Sequence, residues 1–374
     1  MKTLVRGRVH GLGGESRAVL IDGAVISWIG HGSPPEHPDE EVVLGADELL
    51  APGLIDLQVN GFGGHDAAQG PEAIAAISDA LPKTGVTAFL PTLISSPVKV
   101  GAEFATAAAA AEGNGARVLG AHVEGPFLNP SFRGAHDRSC LTAPTADQVD
   151  VIARARPRLV TLAPELPGAL EAIGRLRRHG VVVSAGHTGA DFEVGQKAID
   201  AGVRFGTHVY NAMPPVHHRR PGIALALILD RRVTVGLIAD GSHVHPSVMR
   251  QLATVKGVSR IALTTDQTAA AGSSAGSFEL AGRRVVSDGM VVRLEDGTLA
   301  GSASTMEDLV RRMASLPGMN AERAITMASA VPARVLGEKR LGRVSVGSCA
   351  DLVVFDGELR VKQTWVGGRV RFRR

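Results

Sequence analysis

Residues 181–208 read VVVSAGHTGADFEVGQKAIDAGVRFGTH. Val181–Ala185 is a short, β-branched apolar run. Gly186, His187 and Thr188 follow as a turn, and Phe192–Ala201 then takes up an amphipathic helical pattern. At Arg204 a second strand-like run begins, carrying His208 near its end. A strand, a helix and a second strand in about 30 residues make a parallel β-α-β unit. Its two strands each finish on an imidazole.

Working outward, the same alternation continues in both directions. Candidate strands at Leu54–Val59, Thr87–Thr92, Val118–Glu124 and Leu159–Pro164 come before it. Val233–Ala239 and Arg260–Thr265 come after Arg204–Tyr210. Helical patterns at Pro71–Leu81, Phe104–Glu112 and Ala169–Arg178 fall between strands. Eight strand–helix repeats predict an α/β fold, a (β/α)8 TIM-type barrel over residues 51–337. An open doubly wound sheet is the alternative, disfavoured because no Gly-x-Gly-x-x-Gly turn follows the first strand.

Both chain ends read differently. Ala18–Asp22 and Ala24–Trp28 are strands either side of an Asp22-Gly23 hairpin signal. Ala350–Phe355 and Gln363–Val366 are strands among turn glycines. Residues 1–50 plus 338–374 are therefore expected to assemble one small β-sandwich domain. Ala269–Gly276 reads as a mobile loop, followed by a hairpin-like piece and helices at Thr305–Met313 and Asn320–Leu336.

Composition narrows the function. The chain has 374 residues, 44% of them hydrophobic and 21% charged, as in an ordinary globular enzyme. At 3% aromatic residues it lacks the rings that stack on single-stranded nucleic acid. A net charge of +3 without a Lys/Arg block argues against nucleic-acid partners and suits an anionic small molecule. Two cysteines exclude a Cys-rich zinc site. No apolar run reaches the roughly 20 residues a bilayer needs, and the first residues lack a signal-peptide core, so a cytoplasmic location without membrane contact is expected.

Barrel active sites lie at the C-terminal ends of strands. Here nearly every strand ends on a potential ligand or acid. Glu124, His187 and His208, from strands three, five and six, offer a carboxylate and two imidazoles. That set suits one divalent metal ion with a position left open for water, Zn²⁺ foremost and Fe²⁺ also possible. The competing reading is three unrelated polar residues, which their shared placement at strand mouths disfavours. Asp266 ends strand eight, where a carboxylate can serve as general base and then general acid; otherwise it is a helix cap. His136, in the loop after strand three, is a candidate to polarise a carbonyl. His217, His218, Arg219 and Arg220 form a basic cluster after strand six, and His243 and His245 follow strand seven; phosphate contacts and solvated charges weigh equally there. His122 shares the Glu124 strand face and reads as barrel interior rather than ligand.

These phrases converge on a family. His122-Val-Glu-Gly-Pro-Phe127 with Gly134-Ala-His136, Ser184-Ala-Gly-His187, Thr207-His-Val-Tyr-Asn-Ala-Met-Pro214, Ala239-Asp-Gly-Ser-His243 and Thr265-Asp266 resemble, in order, the N-acetylglucosamine-6-phosphate deacetylase family of the amidohydrolase superfamily. The resemblance implies Glu124, His187 and His208 as metal ligands, Asp266 as catalytic acid/base and His136 at the acetamide carbonyl. It implies Asn211 and Ala212 as backbone contacts to the substrate and Arg219 and His243 as phosphate contacts. His243 is expected to reach in from the neighbouring subunit of a homodimer. Where many amidohydrolases carry His-x-His after strand one, this chain has Gln58 and Asn60, and Glu165 stands where a bridging lysine would. One metal per chain is therefore expected, with Gln58 touching bound water or substrate. Gln267, directly after Asp266, departs from the family pattern. The implied reaction is hydrolysis of the N-acetyl group of N-acetylglucosamine 6-phosphate. The alternatives are a related amino sugar, galactosamine-type, unphosphorylated or nucleotide-linked, and a non-catalytic scaffold.

Overall fold

The computed structural model describes residues 1–13 and 16–374. Eight parallel strands form the central sheet: β1 (Leu54–Val59), β2 (Val86–Leu93), β3 (His122–Glu124), β4 (Leu159–Leu162), β5 (Val182–Ala185), β6 (Phe205–Gly206), β7 (Thr234–Leu237) and β8 (Ile261–Leu263). They pair in sequence order from β1 to β8. Helices α1 (Pro71–Ala80), α2 (Val98–Ala110), α3 (Ala146–Arg154), α4 (Ala169–Arg178), α5 (Phe192–Ala201), α6 (Gly222–Leu229) and α7 (Pro246–Lys256) alternate with the strands. The expected spans of α4 and α5 are met residue for residue. The expected third strand is interrupted: Arg117–Val118 pairs with Ala88 and Phe89, and β3 resumes beyond Gly120 (φ +116°).

Alternation along each strand separates two cores. Val160 and Leu162 of β4 face outward and pack with Ile173 and Leu176 of α4. Leu159 faces inward and joins Ile55, Leu57, Ala88, Leu90, Phe205 and Ala262. Val331 and Ala333, from the short helix Ala330–Val335, close this inner core from below. Above the apolar floor lies a layer of hydroxyls: Thr161 Oγ1 is 2.7 Å from Thr207 Oγ1, which is 2.6 Å from Ser184 Oγ. His122 Nε2 meets the same layer at Thr161 Oγ1, 2.8 Å away, so His122 belongs to the barrel interior as expected. Burial lowers its pKa to about 4, which leaves the ring neutral.

The seam between β1 and β8 is closed by backbone and side chain together: Asn60 and Gly61 N–H donate to the Gln267 carbonyl at 2.9 and 3.1 Å. Val59 makes one parallel bridge to Gln267, just past β8. Below it the fully buried Asp56 carboxylate accepts from Gln58 N–H (3.2 Å), Thr264 Oγ1 (3.1 Å), Thr265 N–H (3.3 Å) and Thr265 Oγ1 (2.5 Å).

Strands from both chain ends form one eight-stranded sheet that curls around its own core of Val5, Val19, Ile26, Leu50, Leu352 and Trp365. Leu49–Pro52 is antiparallel to Leu352–Phe355, which joins the two ends. The sheet docks on the barrel through Arg117, which donates to the buried Asp351 at 2.7 and 3.1 Å. Among the described residues no helix is long and apolar enough to cross a membrane.

After β8 the first residues of the expected loop are packed against the barrel. Ala269, Ala270 and Ala271 are buried, and the carbonyls of Ala269 and Ala271 accept from the N–H groups of Gly64 and Gly63. Small residues are needed there for close packing rather than for flexibility. A four-stranded antiparallel sheet follows: β9 (Gly276–Leu280), β10 (Arg283–Ser287), β11 (Val291–Arg293) and β12 (Leu299–Ser302). Its residues reach the mouth of the barrel. The expected helix over Asn320–Leu336 is two helices, Ala321–Ala328 and Ala330–Val335, meeting at Ser329.

Candidate active site

A cavity of about 370 Å³ opens at the C-terminal ends of the strands. Glu124, His136, His187, His208, His243 and Asp266 all line it, together with Asn60, Asn211 and Ala212. Backbone strain is concentrated here. Of eight described non-glycine residues with positive φ, five sit at this mouth: His187 (+49°), His208 (+28°), Tyr210 (+77°), Ala212 (+50°) and Asp266 (+50°). Such conformations cost of order 1 kcal/mol or more each and persist only where the surroundings enforce them. They turn the chain sharply at the ends of β5, β6 and β8, so that side chains which would follow the strand direction fold over the barrel axis.

Three ligand-type atoms converge. Glu124 Oε1 lies 3.2 Å from His187 Nε2 and 3.1 Å from His208 Nε2, and the two Nε2 atoms are 3.0 Å apart. Ligand atoms of a tetrahedral zinc site, at about 2.1 Å from the metal, sit roughly 3.4 Å from each other. The arrangement is close to that. His187 Nδ1 is 2.9 Å from the Phe132 carbonyl, which only an N–H can satisfy, so its Nε2 carries the lone pair and faces the centre. Burial opposes ionisation of Glu124. The neighbouring His187 and His208 rings outweigh it and hold that carboxyl well below its usual range.

His136 also brings a nitrogen near, and Glu124, His136 and His187 each have a ligand atom within 4.8 Å of the others. Its tautomer separates it from the ligand set. The backbone N–H of Ser95 donates to His136 Nδ1 at 3.0 Å, so Nδ1 is the acceptor. A neutral ring then carries its proton on Nε2, 3.8 Å from Glu124 Oε2. Burial and the neighbouring His187 push the pKa of His136 well down, which keeps the ring neutral. His136 is thus a donor into the cavity, as expected for a group at a carbonyl oxygen.

Asp266 accepts from Asn60 Nδ2 at 2.7 Å. Burial, reinforced by the charge of Glu124, pushes its pKa up to about 6. Asn60, read in the sequence only as a missing ligand, orients the acid. Ser95 had no signal in the sequence at all.

The other expected site residues are spread around this centre. Gln58 is buried under Glu124 rather than in the cavity. Its Nε2 donates to Glu124 Oε2 at 3.1 Å and leaves Oε1 to face the histidines. His243 lines this cavity and also the adjoining groove of Tyr210, Pro214 and Val244. Its Nδ1 is 2.7 Å from Asp240 Oδ2, while Asp240 Oδ1 accepts from the N–H groups of Ser242 and His243. Arg219 is exposed and lines a separate hollow with His217, Arg220 and Asp191, because the segment after the Ala212 turn runs away from the mouth. Asn211 lines the cavity, with its N–H donated to the His208 carbonyl at 3.0 Å and its Nδ2 to the same carbonyl at 3.2 Å. Glu165 is structural: it accepts from Asn129 Nδ2 (2.8 Å) and Gly189 N–H (2.6 Å) and fixes the loop that presents His187.

The model of the amidohydrolase family matches residues 49–371. An N-acetylglucosamine-6-phosphate deacetylase of Bos taurus is 39% identical over 342 residues, 86% of this chain and 83% of that one. An N-acetylgalactosamine-6-phosphate deacetylase of Escherichia coli O157:H7 is 38% identical over 331 residues, 86% of this chain and 88% of that one. A mutant N-acetyl-D-glucosamine-6-phosphate deacetylase of Mycobacterium smegmatis, solved with N-acetyl-D-glucosamine-6-phosphate, superposes with a TM-score of 0.92. It is 31% identical, and the match covers 99% of both chains.

Proposed function

This chain belongs to the amidohydrolase family, and on that footing we propose that it hydrolyses the N-acetyl group of N-acetylglucosamine 6-phosphate to acetate and glucosamine 6-phosphate. One observation carries the reading: a three-atom ligand cluster, a buried carboxyl and an Nε2–H donor surround a single cavity.

Glu124, His187 and His208 are the residues to hold one divalent cation, Zn²⁺ foremost, with Fe²⁺ suiting the same donors. When bound, it supplies Lewis acidity that acidifies water and polarises the amide carbonyl. Asp266, steadied by Asn60, accepts the proton of the water that adds to the acetyl carbon. His136 donates its Nε2–H to the carbonyl oxygen as negative charge develops there. The C–N bond then breaks, and Asp266 returns its proton to the departing nitrogen. His243, held by Asp240, with Asn211 and Ala212, takes the phosphate-bearing side of the sugar.

We place the enzyme in the cytoplasm, since a sugar phosphate does not cross a bilayer unaided. We also place a second copy of the chain on the apolar groove of Tyr210, Pro214, Val216, Val244, Val248 and Val255, beside His243. Light scattering checks that pairing.

The galactosamine epimer is the second reading, because the relative acting on it is as similar as those acting on the glucosamine form. Acetate release from both epimers, with metal content measured on the same sample, tests the proposal. Turnover of the glucosamine substrate with about one metal per chain is expected. Faster turnover of the galactosamine substrate would shift the assignment to the second reading. Metal without turnover of either would overturn both.

A further inference from the structure

The cavity has one apolar side that the mechanism above does not use. Ile94 at the end of β2, Ala135 in the loop after β3 and Leu280 at the tip of β9 all line it. They belong to one apolar cluster with Ala270, Val285 and Ala300 and are almost fully buried. Three chain segments far apart in sequence therefore meet as a single wall.

The place of that wall is set by His136. Ala135 precedes His136 in the chain. Ile94 precedes Ser95, whose N–H and Oγ lie 3.0 and 2.8 Å from His136 Nδ1. Two of the three wall residues are thus bonded neighbours of the pair that orients the Nε2–H donor. An amide whose carbonyl oxygen takes that donor has its acyl carbon chain one bond away.

Leu280 is held in place from both sides. The N–H of Ala281, the next residue, donates to Asp66 Oδ2 at 2.6 Å. Arg283, across the hairpin tip, donates to the carbonyl of Ala135 itself. The tip is tied to the barrel on one side and to the His136 loop on the other, so the wall is preorganised rather than closed by the ligand.

We propose that Ile94, Ala135 and Leu280 form the acyl pocket, and that Leu280 sets the length of acyl chain the enzyme accepts. The inference rests on the deacetylase reading and adds to it a specificity element: short acyl groups pass, and each further methylene meets the Leu280 side chain. Removing that side chain opens space for roughly three carbons. A pocket contact worth one or two methylenes changes discrimination by about 10- to 200-fold.

The test is kcat/KM for N-formyl-, N-acetyl- and N-butyryl-glucosamine 6-phosphate, measured on the wild-type protein and on Leu280→Ala. The expected result is a butyryl-to-acetyl ratio at least tenfold higher in the variant. Because the ratio is taken within one sample, loss of folded protein cancels. Leu280→Phe supplies the opposite arm, with the formyl-to-acetyl ratio rising. Wild-type turnover of the acetyl compound, with unchanged ratios in both variants, would overturn the acyl pocket and leave the deacetylase reading standing. Absence of turnover with any acyl group in the wild type would overturn the reading beneath it as well.

Discussion

Ser95 and His136 meet twice, through a backbone N–H donated to Nδ1 at 3.0 Å and a hydroxyl 2.8 Å from the same nitrogen. A backbone N–H can only donate, so this contact decides which nitrogen of His136 bears the proton. It leaves the ring a donor into the cavity, which fits the proposed contact with substrate better than metal ligation, although its distance to Glu124 would allow either.

His136→Gln is therefore expected to lower kcat by roughly 10²–10³, the usual cost of losing one oxyanion donor. Metal content should stay unchanged. Loss of metal with loss of activity would make His136 a ligand and return the question to geometry.

Asp266→Asn should separate the two functions in the opposite corner of the cavity. The amide keeps the contact with Asn60 in reach but cannot carry a proton. Turnover is expected to fall by roughly 10²–10⁴ at unaltered metal content. Near-normal turnover would exclude Asp266 as the proton carrier.

Gln58→Ala tests a residue packed behind Glu124. Glu124 Oε2 loses its donor, and the carboxylate is free to rotate. Metal affinity should fall about 10- to 100-fold, as when partners of metal ligands are removed. At saturating metal kcat should return most of the way to the wild-type value. A kcat defect that added metal does not repair would put Gln58 in contact with the reacting atoms.

Asp56 gives a prediction for stability. Burial pushes its pKa up to about 6 despite four donors around it. The folded protein then holds a proton that the unfolded chain releases at an ordinary 3.8. Stability from this group is complete below that lower value and is lost as pH rises through about 6, in total about 3 kcal/mol. Asp56→Asn does not titrate. Its destabilisation, read from urea midpoints, should shrink between pH 4 and pH 7. If it grows instead, the four hydrogen bonds outweigh burial and the carboxyl is ionised throughout.

What the sequence made legible was the periodic part. Leu54–Val59, Ala169–Arg178 and Phe192–Ala201 were readable because apolar spacing alone decides them. The strand expected over Arg204–Tyr210 shortens to Phe205–Gly206, because the chain turns through left-handed conformations at His208, Tyr210 and Ala212. No β-branched or aromatic pattern announces such a turn. The proposed ligands Glu124, His187 and His208 were readable by chemical type and by position at strand ends. Ser95, Asn60 and the Gln58–Glu124 contact were not, since an amide or hydroxyl acquires its role only from what the fold places beside it. Leu280 is the clearest case: nothing in SFELAGRR marks one leucine as the wall partner of Ile94 and Ala135, more than 140 residues earlier.

The sheet made from both chain ends has a consequence for biosynthesis. Its N-terminal strands are complete at Pro52, but the strand that pairs with Leu49–Pro52 begins only at Leu352. Roughly 300 residues separate them, which at ribosomal rates of about 5–20 residues per second is a delay of the order of 15–60 s. Throughout that time Val5, Val19 and Leu50 lack Leu352 and Trp365, and one β-edge lies open. Residues 352–374 are thus the ones that seal the N-terminal strands, and a chain cut short before Leu352 would carry every proposed catalytic residue on a molecule unable to cover those strands.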